Sequence, residues 1–586
     1  MRQWMVAAKK ADFYVIAEKF HVDPVVARII RNRGVIGEKN IRIYLGGNLS
    51  DLSDPHQMKD MDRLVEILAQ KIRKQVHIRI IGDYDVDGVT SSHLFLTALR
   101  RVGAKVDVVI PHRIQDGYGL SLHLLQQAKE DGVDTILTCD NGIAAIDEIA
   151  WAKAQKMTVL VTDHHAVPFE EHEGRRTEKK SLADAVVNPH QQDCGYPYKE
   201  LCGAGVAWNV IRVLYENYDM DKREAEDLLD FVAMATVCDV MSLTGENRIL
   251  VKEGLKRIRH TKNIGLQALM QACNVQPENI SAYHFGYVLG PCVNATGRLD
   301  TARHALRLFE TGQETEAEEI ARDLVDLNQE RKELTLQGVE MAKKLCEEGG
   351  YENDPVLVLF LPDVHESIAG LIAGRIREMY NRPVFVLTRG EEGVKGSGRS
   401  TENYSMYENM CGCAELFTKF GGHPMAAGLS LPEENVEKFR RKINENCPLT
   451  VEEVCPDIHI DMAMPVGYAS TELVHQFALL EPFGKDNPSP LFADRNLSIS
   501  RMWLIGKNRN VLRMSVLSEY GQPVPVIFFG DVETLFAYFT EKFGQEEVEN
   551  ALHGRKNRIL FSMVYTSKID FYQGNENLQL EMKYYR

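Results

Sequence analysis

A chain of 586 residues exceeds what one hydrophobic core supports, so several domains are expected. Hydrophobic residues at 44% and charged residues at 26% are ordinary for a soluble globular protein, and no apolar run is long enough to span a bilayer. The eleven cysteines lack C-x-x-C spacing, which argues against a disulfide framework or a zinc site, and the net charge of −16 argues against a protein that coats nucleic acid electrostatically. The same charge leaves room for a nuclease with a local basic groove. The first residues do not show the basic, apolar, small-residue order of a secretory signal, so a cytoplasmic location is expected.

Residues 1–70 read as a mostly helical lead with a turn at 52–55. From 71 to 310, short β-branched strands alternate with helical periodicities such as 60–74 and 91–101, the pattern of a parallel sheet covered on both faces. The charged stretch 170–180 has no apolar period and reads as an exposed loop. Residues 311–350 read as one connecting helix, with two helices broken near Asn328 as the alternative. A second α/β pattern occupies 351–446: strand 355–361, helix 367–380, strand 383–387, then a Gly-rich loop at 396–400. From 447 to 586, three strands, a helix and two strands suit a small β-barrel of the OB type. Phe483, Tyr520 and Phe528 in this region are available for stacking on bases, but core packing is the expected role of each.

Three strings place acids and histidines where strands end. Strand 78–81 runs into Gly82-Asp83-Tyr84-Asp85-Val86-Asp87-Gly88, strand 135–138 into Cys139-Asp140-Asn141-Gly142, and strand 158–161 into Thr162-Asp163-His164-His165. Ligands bind at the carboxyl ends of strands in an α/β sheet. Carboxylates gathered there repel one another and call for a compensating cation, most simply a divalent metal. Carboxylate oxygens with imidazole suit Mn²⁺ or Mg²⁺. Each string alone is an ordinary turn, a calcium loop or a surface pair; three in order in one lobe make a metal enzyme the expected reading.

These strings resemble the first three motifs of the DHH phosphoesterase superfamily. The blocks at 201–207 and 233–240 resemble its next motifs, and Gly421-Gly422-His423-Pro424 resembles the DHH-associated domain. The full layout is similar to the RecJ-type exonuclease branch. The resemblance implies a DHH parallel-sheet domain, a connecting helix, a DHH-associated domain and an OB-like barrel. It implies two divalent ions held by Asp85, Asp87, Asp140, His164 and Asp239, with Asp83 also in the first motif. It places His165 as a phosphate contact or proton donor and Asp163 behind an imidazole, orienting it. Arg113, in the loop after strand 106–110, becomes a 5′-phosphate contact, since arginine matches phosphate geometry. Ser397 and Arg399 would meet the nucleic acid, as would Asn294 and Arg298. His423 would contact the nucleotide or cap its loop, and Cys292 stands where the family usually has arginine. The implied activity is 5′→3′ hydrolysis of single-stranded DNA to 5′-mononucleotides in DNA repair and recombination, by a monomer working with a helicase and a single-strand-binding protein. The rivals are a DHH phosphodiesterase acting on RNA or on short or cyclic oligonucleotides, and a non-catalytic strand-binding scaffold.

Overall fold

The computed structural model describes residues 3–113, 116, 119–172, 175–390, 393–506, 510–572 and 574–586. The chain divides into two compact units, one of residues 49–456 and one of residues 3–48 with 457–586. None of the described helices is long and apolar enough to cross a membrane.

The first unit is built on a parallel sheet of His77–Ile81, Lys105–Val109, Thr135–Cys139, Thr158–Thr162 and Ala185–Val187. In chain order these five strands lie 2-1-3-4-5 across the sheet, so the winding reverses between the first and third. Their β-branched runs are buried on both faces. Ile78, Ile80, Leu137 and Leu160 enter one core, while Ile81, Ile136, Val159 and Val161 enter the other. The charged stretch expected as a loop instead pairs as an antiparallel hairpin, Phe169–His172 with Arg175–Glu178. Its partnership is set by backbone hydrogen bonds, which an absent apolar period does not reveal.

Helix Glu314–Glu348 is continuous for 35 residues, about 50 Å, so no break occurs at Asn328. The reason is local: Asn328 is buried, and its side chain donates to Cys292 Sγ and accepts from Arg331 Nε. A second, mixed sheet follows, with strand order Lys419–His423, Ala426–Leu431, Gly393–Arg399, Val384–Gly390, Leu357–Phe360. The segment expected as a Gly-rich loop is thus a central strand of this sheet.

In the second unit, Phe492–Ile505, Val511–Leu517, Pro523–Phe528, Asn575–Tyr585 and Leu560–Tyr572 pair in succession, and the last pairs back onto the first. That return pairing closes the barrel. The N-terminal helices, read from sequence as a separate lead, contribute Val25, Val26, Ile29 and Ile30 to the same core as the barrel. Phe528 and Phe483 pack on this core as expected, but Tyr520 is 80% exposed in a turn.

Candidate metal centre and phosphate pocket

The loops after the first and third strands flank the point where the winding reverses, and both carry acids. Asp85 caps helix Val86–Arg101, accepting from Gly88 N at 3.0 Å. This turns the following Asp87 inward, where Gly203 N and Ala204 N donate to its two oxygens at 2.6 and 2.7 Å. Those donors open helix Gly203–Asn217, whose positive end favours a carboxylate. Gly203 is required there, since a Cβ would lie 2.6 Å from Asp140 Cβ. Asp140 itself adopts a left-handed backbone at φ 62°, a conformation tolerated by Asp and frequent at functional sites.

The fourth strand delivers the histidines. His164 Nε2 lies 3.1 Å from Asp140 Oδ1, 3.6 Å from Asp239 Oδ2 and 3.7 Å from Asp87 Oδ2. Asp83, Asp85 and Asp140 form a second group whose oxygens fall within 4.8 Å of one another. Asp83, Asp85, Asp87, Asp140, His164, His165 and Asp239 are therefore brought together. Asp163 is buried beneath them, accepts from the backbone of Ile143, His164 and His165, and contacts His165 Nδ1 at 2.7 Å. It orients His165.

The electrostatics show what the cluster lacks. Burial, reinforced by neighbouring carboxylates, pushes Asp83, Asp85 and Asp140 above the usual carboxylate range. Burial pushes His164 down, leaving a neutral imidazole with a lone pair to offer. Burial opposes protonation of His165 too, but the Asp163 carboxylate overcomes it and raises His165 to about 9. Asp83 Oδ1 and His164 Nε2 are buried and make no hydrogen bond. Hard oxygen donors with an imidazole, partly unsatisfied, fit divalent ions of the Mn²⁺ or Mg²⁺ kind.

Beside this cluster lies a cavity of about 490 Å³ lined by Tyr84, Arg113, Ser367, Lys395, Ser397 and Lys419, among others. The Arg113 guanidinium stacks over the Tyr84 ring at 4.9 Å. Arg298 donates to Ser367 O at 2.6 Å, and burial with the nearby charges of Arg113, Arg331 and Arg399 lowers it to about 10. Arg399 is lowered for the same reasons, burial first and Arg113 next. Three arginines held this close want an anion. Asn294 accepts from Val86 N at 3.1 Å and so ties its helix to the Asp85–Asp87 turn. His423 is exposed and does not line the cavity. Cys292 is buried away from it, its thiol donating to Val288 O. Lys395 and Lys419 were missed in the sequence. The signal for Lys395 was there, because Lys395, Ser397 and Arg399 alternate on one face of a strand.

Comparison with known proteins agrees with this architecture. The DHH family, N-terminal domain, matches residues 77–236, the DHHA1 domain matches 353–447, and the RecJ OB domain matches 460–584. The single-stranded-DNA-specific exonuclease RecJ of Haemophilus influenzae is 32% identical over 581 residues, covering 96% of both chains. The chain belongs to the RecJ family. RecJ of Bacillus subtilis is 33% identical over 511 residues, 86% of this chain, which spans only 63% of that longer protein. The crystal structure of Thermus thermophilus RecJ in complex with Mn²⁺ superposes with a TM-score of 0.81 at 25% identity, covering 100% of this chain and 79% of that one. The ion of that RecJ relative is of the class that the acids and histidines here fit.

Proposed function

We propose that the protein is a metal-dependent 5′→3′ exonuclease that hydrolyses single-stranded DNA to 5′-mononucleotides, in the service of DNA repair and recombination. One observation carries the reading: a cavity lined by Arg113, Lys395 and Lys419 adjoins a carboxylate and histidine cluster on the same unit. The RecJ relatives, named as single-stranded-DNA-specific, support the choice of polymer. The closed barrel supports it too, since OB folds hold single strands by charge and stacking.

Asp85, Asp87, Asp140, His164 and Asp239 would hold two divalent ions, with Asp83 beside them. When bound, such ions activate water and offset the charge of the phosphate under attack. The remaining work falls to the chain. Arg113 and Arg399, with Ser397, grip the 5′-terminal phosphate and set the register of the strand. Asn294 and the Gly203 and Ala204 amides hold the Asp85–Asp87 turn in shape. His165, protonated against Asp163, is placed to donate to the phosphate or to the departing 3′-oxygen. Water adds to phosphorus, the P–O3′ bond breaks, the 3′-oxygen takes up a proton, and a 5′-mononucleotide leaves.

The test uses single-stranded DNA and RNA labelled at the 5′ or the 3′ end and incubated with Mn²⁺ or Mg²⁺. The 5′ label is expected to leave first, as a mononucleotide, from DNA. Initial release from the 3′ end, or faster digestion of RNA, sinks the proposal.

A further inference from the structure

The helical run 282–299 reaches both the phosphate cavity and the Asp85–Asp87 turn. Its last turn carries Arg298, beside the phosphate cavity. One turn earlier, Asn294 meets the Asp85–Asp87 turn of the metal cluster. Seven residues before Asn294, about 10 Å along the helix axis, the chain carries Tyr287, preceded by Tyr283. Their rings stack with centroids 5.1 Å apart and planes 25° apart. Both rings are largely in solvent, Tyr283 at 61% and Tyr287 at 71% exposure. Tyr287 itself sits in a π-turn, Phe285–Leu289, an irregularity that recurs at functional sites. Positions 283 and 287 are exposed and 291, 294 and 298 are half-buried, so the tyrosines lie on the less buried side of the run with Asn294 and Arg298. The other side of the same run is buried, with Phe285, Leu289, Cys292 and Val293 in the core.

This order has a chemical meaning. Resting on the proposed function, the 5′-phosphate sits at the Arg298 end and the scissile bond sits opposite Asn294. The uncleaved remainder of the strand then leaves toward the other end of the helix, where the two rings are. A stacked aromatic pair in solvent has no packing role to explain it, and every base has a π-face that such a pair accepts whatever its sequence. We propose that Tyr283 and Tyr287 form a base-stacking platform for the nucleotides that follow the scissile bond. The platform holds the strand between cuts and binds bases, not phosphates.

The test compares the wild type, the Tyr283→Ala/Tyr287→Ala double variant and the Tyr283→Phe/Tyr287→Phe double variant. The substrates are a 5′-phosphorylated oligothymidylate and the same oligomer with abasic residues immediately after the first nucleotide. Both sites are exposed, so thermal melting is expected to be the same for all three proteins. On intact oligomer the alanine variant should raise KM about ten-fold with little change in kcat, and the phenylalanine variant should match the wild type. On the abasic oligomer the wild type should fall to the level of the alanine variant. Equal KM for wild type and alanine variant on intact oligomer overturns the platform, as does an alanine effect that persists undiminished on the abasic oligomer. Failure of the wild type to digest single-stranded DNA at all defeats the functional reading itself, and the platform with it, before any variant is made.

Discussion

The metal cluster and the phosphate cavity are neighbours with opposite electrostatic deficits. At the strand ends, acids are pushed up by burial and by one another. Beside the cavity, Arg298 and Arg399 are pushed down by burial and by the neighbouring arginines. Neither region is balanced by the protein alone. On the proposed function, a phosphodiester held by divalent ions would supply both charges at once.

The sharpest way to break the comparison is to remove one acid. Asp140→Asn should lower nuclease activity by about 10³-fold or more, because Asp140 belongs to two of the three candidate ligand groups. In chelator the same variant should melt no lower than the wild type, since a repelled buried charge has been removed. Mn²⁺ should stabilise the wild type by about 2.7 kcal/mol at 100 times its Kd, read as a raised melting temperature, and stabilise the variant far less. A variant that melts well below the wild type in chelator would mean that Asp140 is structural.

The two regions also differ in how plainly the sequence announces them. Each acid of the first three strings follows directly on a β-branched run, so the strand-end rule locates it. Asp239 escapes that rule because it caps the end of helix Leu229–Cys238 and reaches the cluster from across the domain. The cavity is harder still, being assembled from several separate segments. Gly396 and Gly398 made strand Gly393–Arg399 look like a flexible loop, as glycine is unfavourable in strands. They are there for packing. A Cβ on Gly396 would meet Leu387 at 2.4 Å, and one on Gly398 would meet Met406 at 2.3 Å. Only the tertiary neighbours reveal that need. Closure of the barrel, set by pairing Phe492–Ile505 with Leu560–Tyr572, was likewise invisible to local pattern.

A milder break comes from the cationic side. Arg399→Ala removes one charge-assisted contact, for which about 1.5–3 kcal/mol is ordinary, so KM for 5′-phosphorylated single strands should rise about 10- to 100-fold. Arg113→Ala should act alike. For 5′-hydroxyl ends neither variant should differ much from the wild type. Because cationic crowding is relieved, neither variant should lose stability in the absence of DNA. Equal losses on both kinds of end would show that these arginines grip the strand generally and do not select its terminus.

A last test asks whether burial alone raises an acid of this unit. Asp230 is a buried acid in the same unit that has no place in the cluster, and burial pushes it up to about 6. Its oxygens accept from Phe231 N and Thr261 Oγ1, and Asp227 adds a like charge nearby. His93, Lys256, Arg257 and His260 line the same surface cavity. The folded protein therefore binds this proton more tightly than the unfolded chain does. Ionised Asp230 weakens the fold by about 3 kcal/mol above pH 6, and the penalty fades as pH falls toward the unfolded value near 4. Stability of the wild type relative to Asp230→Asn should thus rise by up to that amount between pH 7 and pH 4. Mn²⁺ should leave this slope unchanged, because the hydroxyl and amide partners of Asp230 already satisfy it. A slope that vanished on adding Mn²⁺ would mean that the ion acts on this lobe as a whole and not on the strand-end acids alone.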